Sequence, residues 1–493
     1  MSPDGQRVEP IVETPFIDGA FVSSACDERA EVINPSNGQR SSTIPSGCDA
    51  DVDRAALAAR RAFDDGRWSD TPPSFKKSVL QRFADLIASD AVALDTLDAG
   101  DMGKPVSEGA CSAATAAGLV RYCAESVDKL TGEVCVSDQH SLVTQRLVPR
   151  GVVGAVVPWN FPTYIAVLKL APALAAGNCV VLKPSELSSR SAIRLAALGT
   201  EAGLPPGVLN VVLGLGQSVG RALGLHPAVD MLTFTGSTSV GKRMLEYAGQ
   251  SNMKVVKAEC GGKSPQIVFD DGVDLEAASA AIAQSLLTNQ GQICSLGSRL
   301  LVQRSIEQPM LERISERIRH VVIGDALDRK TTFGPIASAR QCARVMEYIQ
   351  SAQNDGAELV SGGSRVLTQS GGYFVEPTLF RRVSPRARIA QEEIFGPVLS
   401  IMTFDDEADA LRIANNTMYG LMAYVWTGRL ATAMRVAKGI RSGVVVNAAA
   451  PRGEGPGYGF SFEPAGQSGI GIEGGSAGME SYSRRQLVWF NHD

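Results

Sequence analysis

The sequence predicts an α/β protein whose sheets are largely parallel. From about residue 147, short Val-rich runs such as NCVVLKPSE, VLNVVLGLG and DMLTFTGS are each followed by a turn and an amphipathic, helix-like segment. Strands that alternate with helices in this way favour a parallel sheet with right-handed crossovers. The length of 493 residues exceeds one hydrophobic core, so at least two domains are expected.

The elements follow a simple order along the chain. Residues 51–141 are mainly Ala- and Leu-rich and predict packing helices, as in DVDRAALAARRAF. Strand-helix units follow, and a second series begins near SPQIVFD and continues through SRLLVQ, GPVLSIMTF and GVVVN. The second series predicts another domain of similar construction.

The composition favours a small-molecule ligand. The net charge is only -5, with 44% hydrophobic and 20% charged residues, so neither nucleic acid nor an anionic membrane is an expected partner. The N-terminus has no signal-peptide pattern, and no run approaches the roughly 18 apolar residues that span a bilayer. A cytoplasmic location is the expectation.

Nine cysteines and four histidines limit the possible chemistry. The cysteines are scattered, with no CxxC pair and no dense framework, which is typical of a reducing compartment and predicts mostly buried thiols. Because no histidine lies near a cysteine or another histidine in sequence, no metal site is predicted.

Several candidate ligand residues follow predicted strands. Asn160, Lys183, Glu186, Gly214 and Ser237 all stand after the carboxyl end of a strand. Parallel sheets bind ligands along that edge, so these residues should converge there. In GSTSVG, Ser237 begins a predicted helix whose unpaired N–H groups favour a pyrophosphate, although Ser is also common at helix starts in general.

Cys294 and Glu259 lie in loops that suit chemistry. Cys294 follows a Gln/Gly/Asn turn in NQGQICSLGSR, and Glu259 precedes a Gly-Gly pair in KAECGGKSP. Taken singly, a cysteine is more often a buried structural thiol and a glutamate more often a surface charge. GGKS is not a P-loop, since position 257 is Lys where that motif needs Gly.

A competing reading concerns GQSVG, residues 216 to 220. It follows a strand and enters a helix as a serine hydrolase nucleophile elbow does, which would make Ser218 the nucleophile and require the distant His320 or His492. Its glycines, with Gly214, miss the dinucleotide fingerprint by one residue.

Seven motifs in order resemble the aldehyde dehydrogenase family. They are PWNFP (158–162), KPSE (183–186), FTGS (234–237), ECGGKSP (259–265), GQICS (291–295), EEIFGPV (392–398) and SGIGIEGG (468–475). The resemblance implies a Rossmann-like NAD-binding domain in residues 1–125 and 151–258 and an α/β catalytic domain in residues 259–470. It also implies a small β oligomerisation element in residues 126–150 and 471–493, and a homodimer or homotetramer.

The resemblance also implies the site residues. Cys294 matches the nucleophile, Glu259 the general base and Asn160 the oxyanion-hole amide, while Lys169 and Glu473 match proton-relay positions. The cofactor is NAD, with NADP possible, and its contacts match Val157, Pro158, Trp159, Lys183, Ser185, Glu186, Gly216, Gly220, Phe234, Gly236, Ser237, Gly241, Glu393 and Phe395.

These residue types suit aldehyde oxidation without a histidine. A thiolate adds to the carbonyl to give a thiohemiacetal, loss of hydride to NAD(P)+ leaves a thioester, and Glu259 activates the hydrolytic water. A carboxylate at Glu186 hydrogen-bonds a ribose 2'-hydroxyl and repels a 2'-phosphate, which favours NAD. Two further readings stay open: an enzyme that passes the acyl group to coenzyme A, and a catalytically silent NAD-binding protein.

One segment departs from the family pattern. The stretch from Ala448 to Gln467 is longer than usual and carries Glu463-Pro464 where a glycine pair is expected, and Cys260 replaces a leucine. Near the predicted substrate tunnel stand the largely apolar Phe161, Tyr164, Ile165, Leu168, Ile293 and Tyr458. They predict an uncharged aliphatic or aromatic aldehyde, with a semialdehyde paired to Arg452 as the alternative.

Overall fold

The computed structural model describes residues 13–448 and 457–492. Within these residues the strands, β1 to β22 in chain order, are Phe16–Ile17, Ala20–Phe21, Arg29–Ile33, Arg40–Pro45, Glu133–Val134, Ser141–Pro149, Val152–Val156, Cys179–Lys183, Leu209–Val211, Met231–Thr235, Val255–Glu259, Pro265–Val268, Arg299–Gln303, Glu358–Ser361, Thr378–Arg381, Val398–Phe404, Tyr419–Gly420, Met422–Trp426, Gly443–Val446, Ala465–Gly466, Gly469–Ile470 and Ser483–Asn491.

The α-helices of the described residues, α1 to α15, are Asp49–Asp64, Pro73–Ser89, Ala91–Met102, Ala113–Ser126, Pro162–Ala175, Arg190–Ala202, Arg221–Leu225, Thr238–Gln250, Leu275–Leu287, Glu307–Arg319, Ala339–Asn354, Arg388–Gln391, Glu407–Ala414, Leu430–Gly439 and Gly475–Glu480. Side-chain caps begin several of them: Ser112 accepts from the N–H of Thr115 at the start of α4, and Asp274 from that of Ala277 at the start of α9.

The first large sheet has the strand order β2-β1-β9-β8-β7-β10-β11-β21. Its five central strands, from β9 to β11 in that order, are parallel. They are flanked by the antiparallel strands β1 and β21, and β2 lies at the edge beyond β1. Central strands such as Val152–Val156 and Cys179–Lys183 are buried throughout, because helices cover both faces of a parallel sheet. The predicted α/β architecture is confirmed.

A second sheet, ordered β14-β15-β16-β13-β12-β18-β19, is parallel except for β14. Its two faces bury separate apolar clusters. Ile282, Leu286 and Met310 of α9 and α10 belong to one cluster, and Val345 and Ile349 of α11 to the other. The strands predicted from SPQIVFD, SRLLVQ, GPVLSIMTF and GVVVN are all present.

A third sheet, β22-β6-β5, joins two segments that are distant in sequence. β22 and β6 pair over nine residues, from Ser483 with Pro149 to Asn491 with Ser141. Its exposed side chains include Leu487, Trp489 and Phe490. The sheet therefore offers an apolar surface outside the two main cores.

A disulfide joins Cys26 to Cys48, with a sequence separation of 22 residues. For these two cysteines the expectation of reduced thiols is wrong, because folding places Cys48 at the start of α1 next to the segment before β3. Among the other seven, Cys123, Cys179, Cys260 and Cys342 are buried thiols as expected.

Candidate active site

The loop before Cys294 has an unusual backbone that is fixed by amide side chains. Asn289, Gln290 and Gly291 have φ angles of 47°, 54° and 69°, in the left-handed region. Gln292 holds this turn in place: its amide nitrogen donates to the Asn289 carbonyl at 3.1 Å, and its amide oxygen accepts from the Ala337 N–H at 3.0 Å. The backbone that carries Cys294 is therefore restrained.

Asn160 is tied to the same loop. Its side-chain nitrogen donates to the Gln292 carbonyl at 2.9 Å, and its own carbonyl accepts from the Asn289 side chain at 2.7 Å. An amide nitrogen has two hydrogens, so one of them is still available to a ligand. The helix α5 that follows is anchored by a bond of 3.1 Å from the Thr163 N–H to buried Asp98.

Cys294 is partly accessible, and its sulfur lies in a desolvated, negatively charged environment. Burial and then the carboxylates of Glu259 and Glu393 raise the pKa of the thiol to about 12, although the Ser295 N–H opposes this change. These surroundings favour the neutral thiol, so the thiolate that attacks an aldehyde must form by transfer of this proton to a base.

Glu259 is the last residue of β11 and pairs there with Thr235 and Gly469. Its side chain is only 6% exposed, and its Oε1 atom has no hydrogen-bond partner among the described residues. Burial, followed by the charge of Glu473, raises the pKa of Glu259, while Lys169 and Lys257 lower it. A carboxyl group in this state can exchange a proton near neutral pH.

Two lysines share the neighbouring carboxylate of Glu473. The Lys169 ammonium lies 2.8 Å and the Lys257 ammonium 2.7 Å from the same Glu473 oxygen, and all three side chains are buried. Burial raises the pKa of Glu473, but the two ammonium groups outweigh this effect and lower it below the usual range. Lys169 and Glu473 are thus brought together as expected. Lys257 was missed, and its period-two spacing from Glu259 on one strand is the signal that could have revealed it.

Glu393 reaches the active-site loop from the second sheet's side. Its Oε1 accepts from the Gly262 N–H at 3.1 Å, and a Cβ on Gly261 would lie 2.2 Å from its other oxygen. Burial raises the pKa of Glu393 to about 7. Phe395, with φ of 59°, packs edge-on against Trp159 with ring centroids 5.3 Å apart.

The other predicted ligand positions line the carboxyl edge of the first sheet. Lys183 is buried, donates to the Pro184 carbonyl at 2.8 Å and lies 3.7 Å from the Glu186 carboxylate, which is 35% exposed. Val157 donates its N–H to the Lys183 carbonyl, which joins the ends of β7 and β8. The Ser185 hydroxyl accepts from the Leu187 N–H. Pro158 continues this edge from β7.

The start of α8 forms the next part of the edge. Ser237 is exposed at this helix start, and its side chain makes no capping bond. The Phe234 ring packs under Gly236, where a Cβ would lie 2.6 Å from it, and a Cβ on Gly241 would lie 2.5 Å from the Cys260 sulfur. Gly216 is exposed and open, and a Cβ on Gly220 would approach the Lys183 side chain at 3.9 Å.

Comparison with known proteins identifies the family to which this chain belongs. The aldehyde dehydrogenase family model matches residues 21–488. The chain belongs to the aldehyde dehydrogenase family. It is 40% identical over 477 residues to the NADP/NAD-dependent aldehyde dehydrogenase PuuC of Escherichia coli (strain K12), covering 97% of this chain and 95% of that protein.

Solved structures agree with this aldehyde dehydrogenase over almost its whole length. The aldehyde dehydrogenase KauB of Pseudomonas aeruginosa has a TM-score of 0.94 at 43% identity, covering 98% of this chain and 97% of its own. A mutant of the indole-3-acetaldehyde dehydrogenase AldA of P. syringae, in complex with NAD+ and IAA, has a TM-score of 0.94 at 42% identity with the same coverage. The protein is an NAD(P)-dependent oxidoreductase that converts aldehydes to carboxylic acids.

The residues at the sheet edge fit NAD. A buried lysine beside a half-exposed carboxylate suits a ribose, and the α8 start, with no side-chain cap, offers N–H groups to a pyrophosphate. At Gly216 the backbone has open space beside it, so no side chain blocks the approach of a ligand. On the other side, Glu393 bonds to Gly262 beside the Cys294 loop, and Phe395 packs against Trp159.

The serine hydrolase reading is not supported. The Ser218 hydroxyl donates to the Leu215 carbonyl at 3.2 Å within a short π-helical turn. The histidines it would need lie elsewhere: His320 is exposed beside Glu316, and the N–H of His492 bonds to His140. Ser218 therefore has no general base among the described residues.

Tyr458 forms part of an aromatic cluster near the site. Its hydroxyl donates to the Thr115 carbonyl at 2.8 Å, and its ring lies 6.3 Å from that of Tyr122. Tyr164, Leu168 and Ile293 pack around the same core, with Phe161 and Ile165 buried within it. Arg452 lies outside the described residues.

No described helix is long and apolar enough to cross a membrane.

Proposed function

We propose that Cys294 is the nucleophile of this aldehyde oxidation, with Asn160 in the oxyanion hole and Glu259 as the general base. The observation that carries the proposal is the convergence of the three: Asn160 bonds to the Cys294 loop, and the charge of Glu259 acts on the thiol. In the first step the Cys294 sulfur bonds to the carbonyl carbon. Its proton goes to Glu259, the charged group that acts most strongly on the thiol, and is released to solvent before hydrolysis, so that Glu259 is ionised again when water attacks.

The carbonyl oxygen then carries negative charge. The remaining Asn160 amide hydrogen and the Cys294 backbone N–H donate to it, each worth roughly 3 kcal/mol in comparable oxyanion holes. Bound NAD supplies the hydride acceptor. The acyl group is left on the Cys294 sulfur as a thioester.

Hydrolysis restores the enzyme. Glu259 removes a proton from water, the oxygen of that water adds to the thioester carbon, and the carbon–sulfur bond breaks to release the acid and the thiolate. The unpartnered Oε1 of Glu259 suits this role. The pair of Lys169 and Glu473 provides a buried route by which the proton leaves.

We propose an uncharged aliphatic or aromatic aldehyde as the substrate. Phe161, Ile165 and the cluster around Tyr458 form a largely apolar approach, and the P. syringae relative is an indole-3-acetaldehyde dehydrogenase. The 35% exposed carboxylate of Glu186 favours NAD over NADP.

We further propose a homodimer or homotetramer that associates through β22 and its neighbours. The exposed Leu487 and Trp489 support this, because side chains two residues apart on a strand share one face and large apolar side chains clustered on a surface mark association sites. The division into NAD-binding residues 1–125 and 151–258, catalytic residues 259–470 and an oligomerisation element in 126–150 and 471–493 remains part of the proposal.

The test is an aldehyde panel scored by NADH formation with wild type, Cys294→Ala and Glu259→Gln. We expect aromatic and aliphatic aldehydes to exceed semialdehydes, Cys294→Ala to form no NADH, and Glu259→Gln to give a single burst. Turnover that requires coenzyme A, or a Glu259→Gln enzyme with full turnover, would instead favour acyl transfer to coenzyme A.

A further inference from the structure

Lys257 lies on the same face of the sheet as Glu259. Both belong to β11, and side chains two residues apart on a strand point to the same side. On the neighbouring strand β10, Thr233 is opposite Lys257 and Thr235 is opposite Glu259. Lys257 is therefore directed toward the base by the strand itself.

The surroundings hold the Lys257 side chain in one position. Its ammonium lies 4.3 Å from the centre of the Tyr482 ring and 3.4 Å from the Ser481 hydroxyl. At Gly471 a Cβ would lie 2.7 Å from the Lys257 side chain, so glycine is needed for the close approach. The ring and hydroxyl support an ammonium group.

The charges do not cancel in this cluster. One carboxylate, Glu473, faces two ammonium groups at 2.7 Å and 2.8 Å, so the three buried side chains carry a net positive charge. Without Lys257, Lys169 and Glu473 would form a neutral pair. Lys257 thus adds a positive charge to this cluster next to Glu259.

We propose that Lys257 is a positioning residue whose positive charge favours the ionised form of Glu259, the general base, an inference that rests on the proposed function. The charged and titratable groups that act on or respond to Glu259 are Glu473, Lys169, Lys257, Cys260 and Cys294. Glu473 and the two thiols offer no positive charge. Lys257 and Lys169 provide the attraction, and both ammonium groups share the single carboxylate of Glu473.

The test follows acyl-enzyme hydrolysis with p-nitrophenyl acetate, which needs no NAD. The ester transfers its acetyl group to Cys294 with release of p-nitrophenol, and water then cleaves the thioester to acetate. The rate of this second step is measured from pH 5 to pH 10. For Lys257→Met we expect the midpoint of the pH profile to move upward by roughly one unit, the usual effect of removing one nearby opposite charge.

The controls separate charge from packing. Lys257→Arg keeps the charge and should retain the wild-type midpoint, and Lys257→Gln serves as a second neutral variant if Lys257→Met unfolds. Lys254→Met removes another buried lysine, three residues earlier, which bonds to the Gly224 carbonyl and the Ser251 hydroxyl, and it should leave the midpoint unchanged. An unshifted profile in both neutral variants, or an equal shift in Lys257→Arg or Lys254→Met, overturns the inference.

The variant Glu259→Gln separates a failure of the inference about Lys257 from a failure of the proposed function. If Glu259→Gln hydrolyses the acyl-enzyme at the wild-type rate, Glu259 is not the base and the proposed function fails. If Glu259→Gln is slow while the neutral Lys257 variants keep the wild-type profile, only the inference about Lys257 fails.

Discussion

The side-chain nitrogen of Asn160 donates a 2.9 Å hydrogen bond to the carbonyl of Gln292, two residues before Cys294. We propose that the same group holds the developing oxyanion, so Asn160→Ala should slow acylation of Cys294 about 100-fold to 1000-fold. The burst of p-nitrophenol from p-nitrophenyl acetate measures this rate. Asn210→Ala, which removes another buried amide bonded to backbone carbonyls, should leave it unchanged. An unaltered burst in Asn160→Ala would exclude the oxyanion role.

The high pKa of Cys294, about 12, predicts a distinctive alkylation profile in the absence of NAD. Since only the thiolate reacts, the rate of iodoacetamide labelling at Cys294 should rise about tenfold per pH unit between pH 7 and pH 10. Peptide mass spectrometry measures it, with Cys294→Ala as the background. A plateau near pH 8 would show that the thiol ionises much more easily.

Glu186 should control the choice of cofactor. Its carboxylate, 3.7 Å from the Lys183 ammonium and 35% exposed, repels a 2'-phosphate. Glu186→Gln should therefore lower the ratio of kcat/KM for NAD to that for NADP by roughly tenfold, equivalent to about 1.4 kcal/mol. Glu201→Gln, at an exposed site on the next helix, is the matched control and should keep the wild-type ratio. A Glu186→Gln enzyme with the same ratio contradicts the assignment.

The disulfide between Cys26 and Cys48 should stabilise the fold. Closing a loop with a sequence separation of 22 residues contributes about 3 kcal/mol through the unfolded chain. We expect Cys48→Ser to lower the unfolding temperature, and a reductant to lower that of the wild type to the same value. The double variant Cys26→Ser/Cys48→Ser should not respond to reductant. A wild-type protein insensitive to reductant would mean that the bond does not form.

The apolar β22 surface should be required for association. Trp489 is 64% exposed, so Trp489→Asp should place a charge in the interface and shift the protein toward monomer. Sedimentation velocity measures the change. Leu430→Asp, at an apolar residue on α14 that is 76% exposed, should keep the wild-type assembly. If both variants behave alike, β22 is not the interface.

The sequence predicted the sheets well because their signal is local. Runs such as Cys179–Lys183 are apolar throughout, which is typical of strands covered on both faces. The edge at which Asn160, Lys183 and Ser237 meet followed from the same rule, since carboxyl ends of parallel strands share one side of a sheet.

Contacts between segments that are distant in sequence could not be predicted from local patterns. The Cys26–Cys48 bond depends on where α1 begins relative to the preceding hairpin, and scattered cysteines carry no pairing information. In the sequence, Lys257 serves only to rule out a P-loop. Its role needs Glu473, 216 residues away in sequence, to lie against β11.

The pairing of Glu259 with Gly469 has a mechanical consequence. The chain leaves the first sheet just after Glu259 and returns to it at Gly469, so the exit and the return are adjacent and hydrogen-bonded. If the two sheets rock against each other as ligands enter and leave, their covalent hinge lies along this pair. Atoms on a hinge axis move least. The carboxyl group of Glu259 can therefore keep its position while the cleft around it opens and closes.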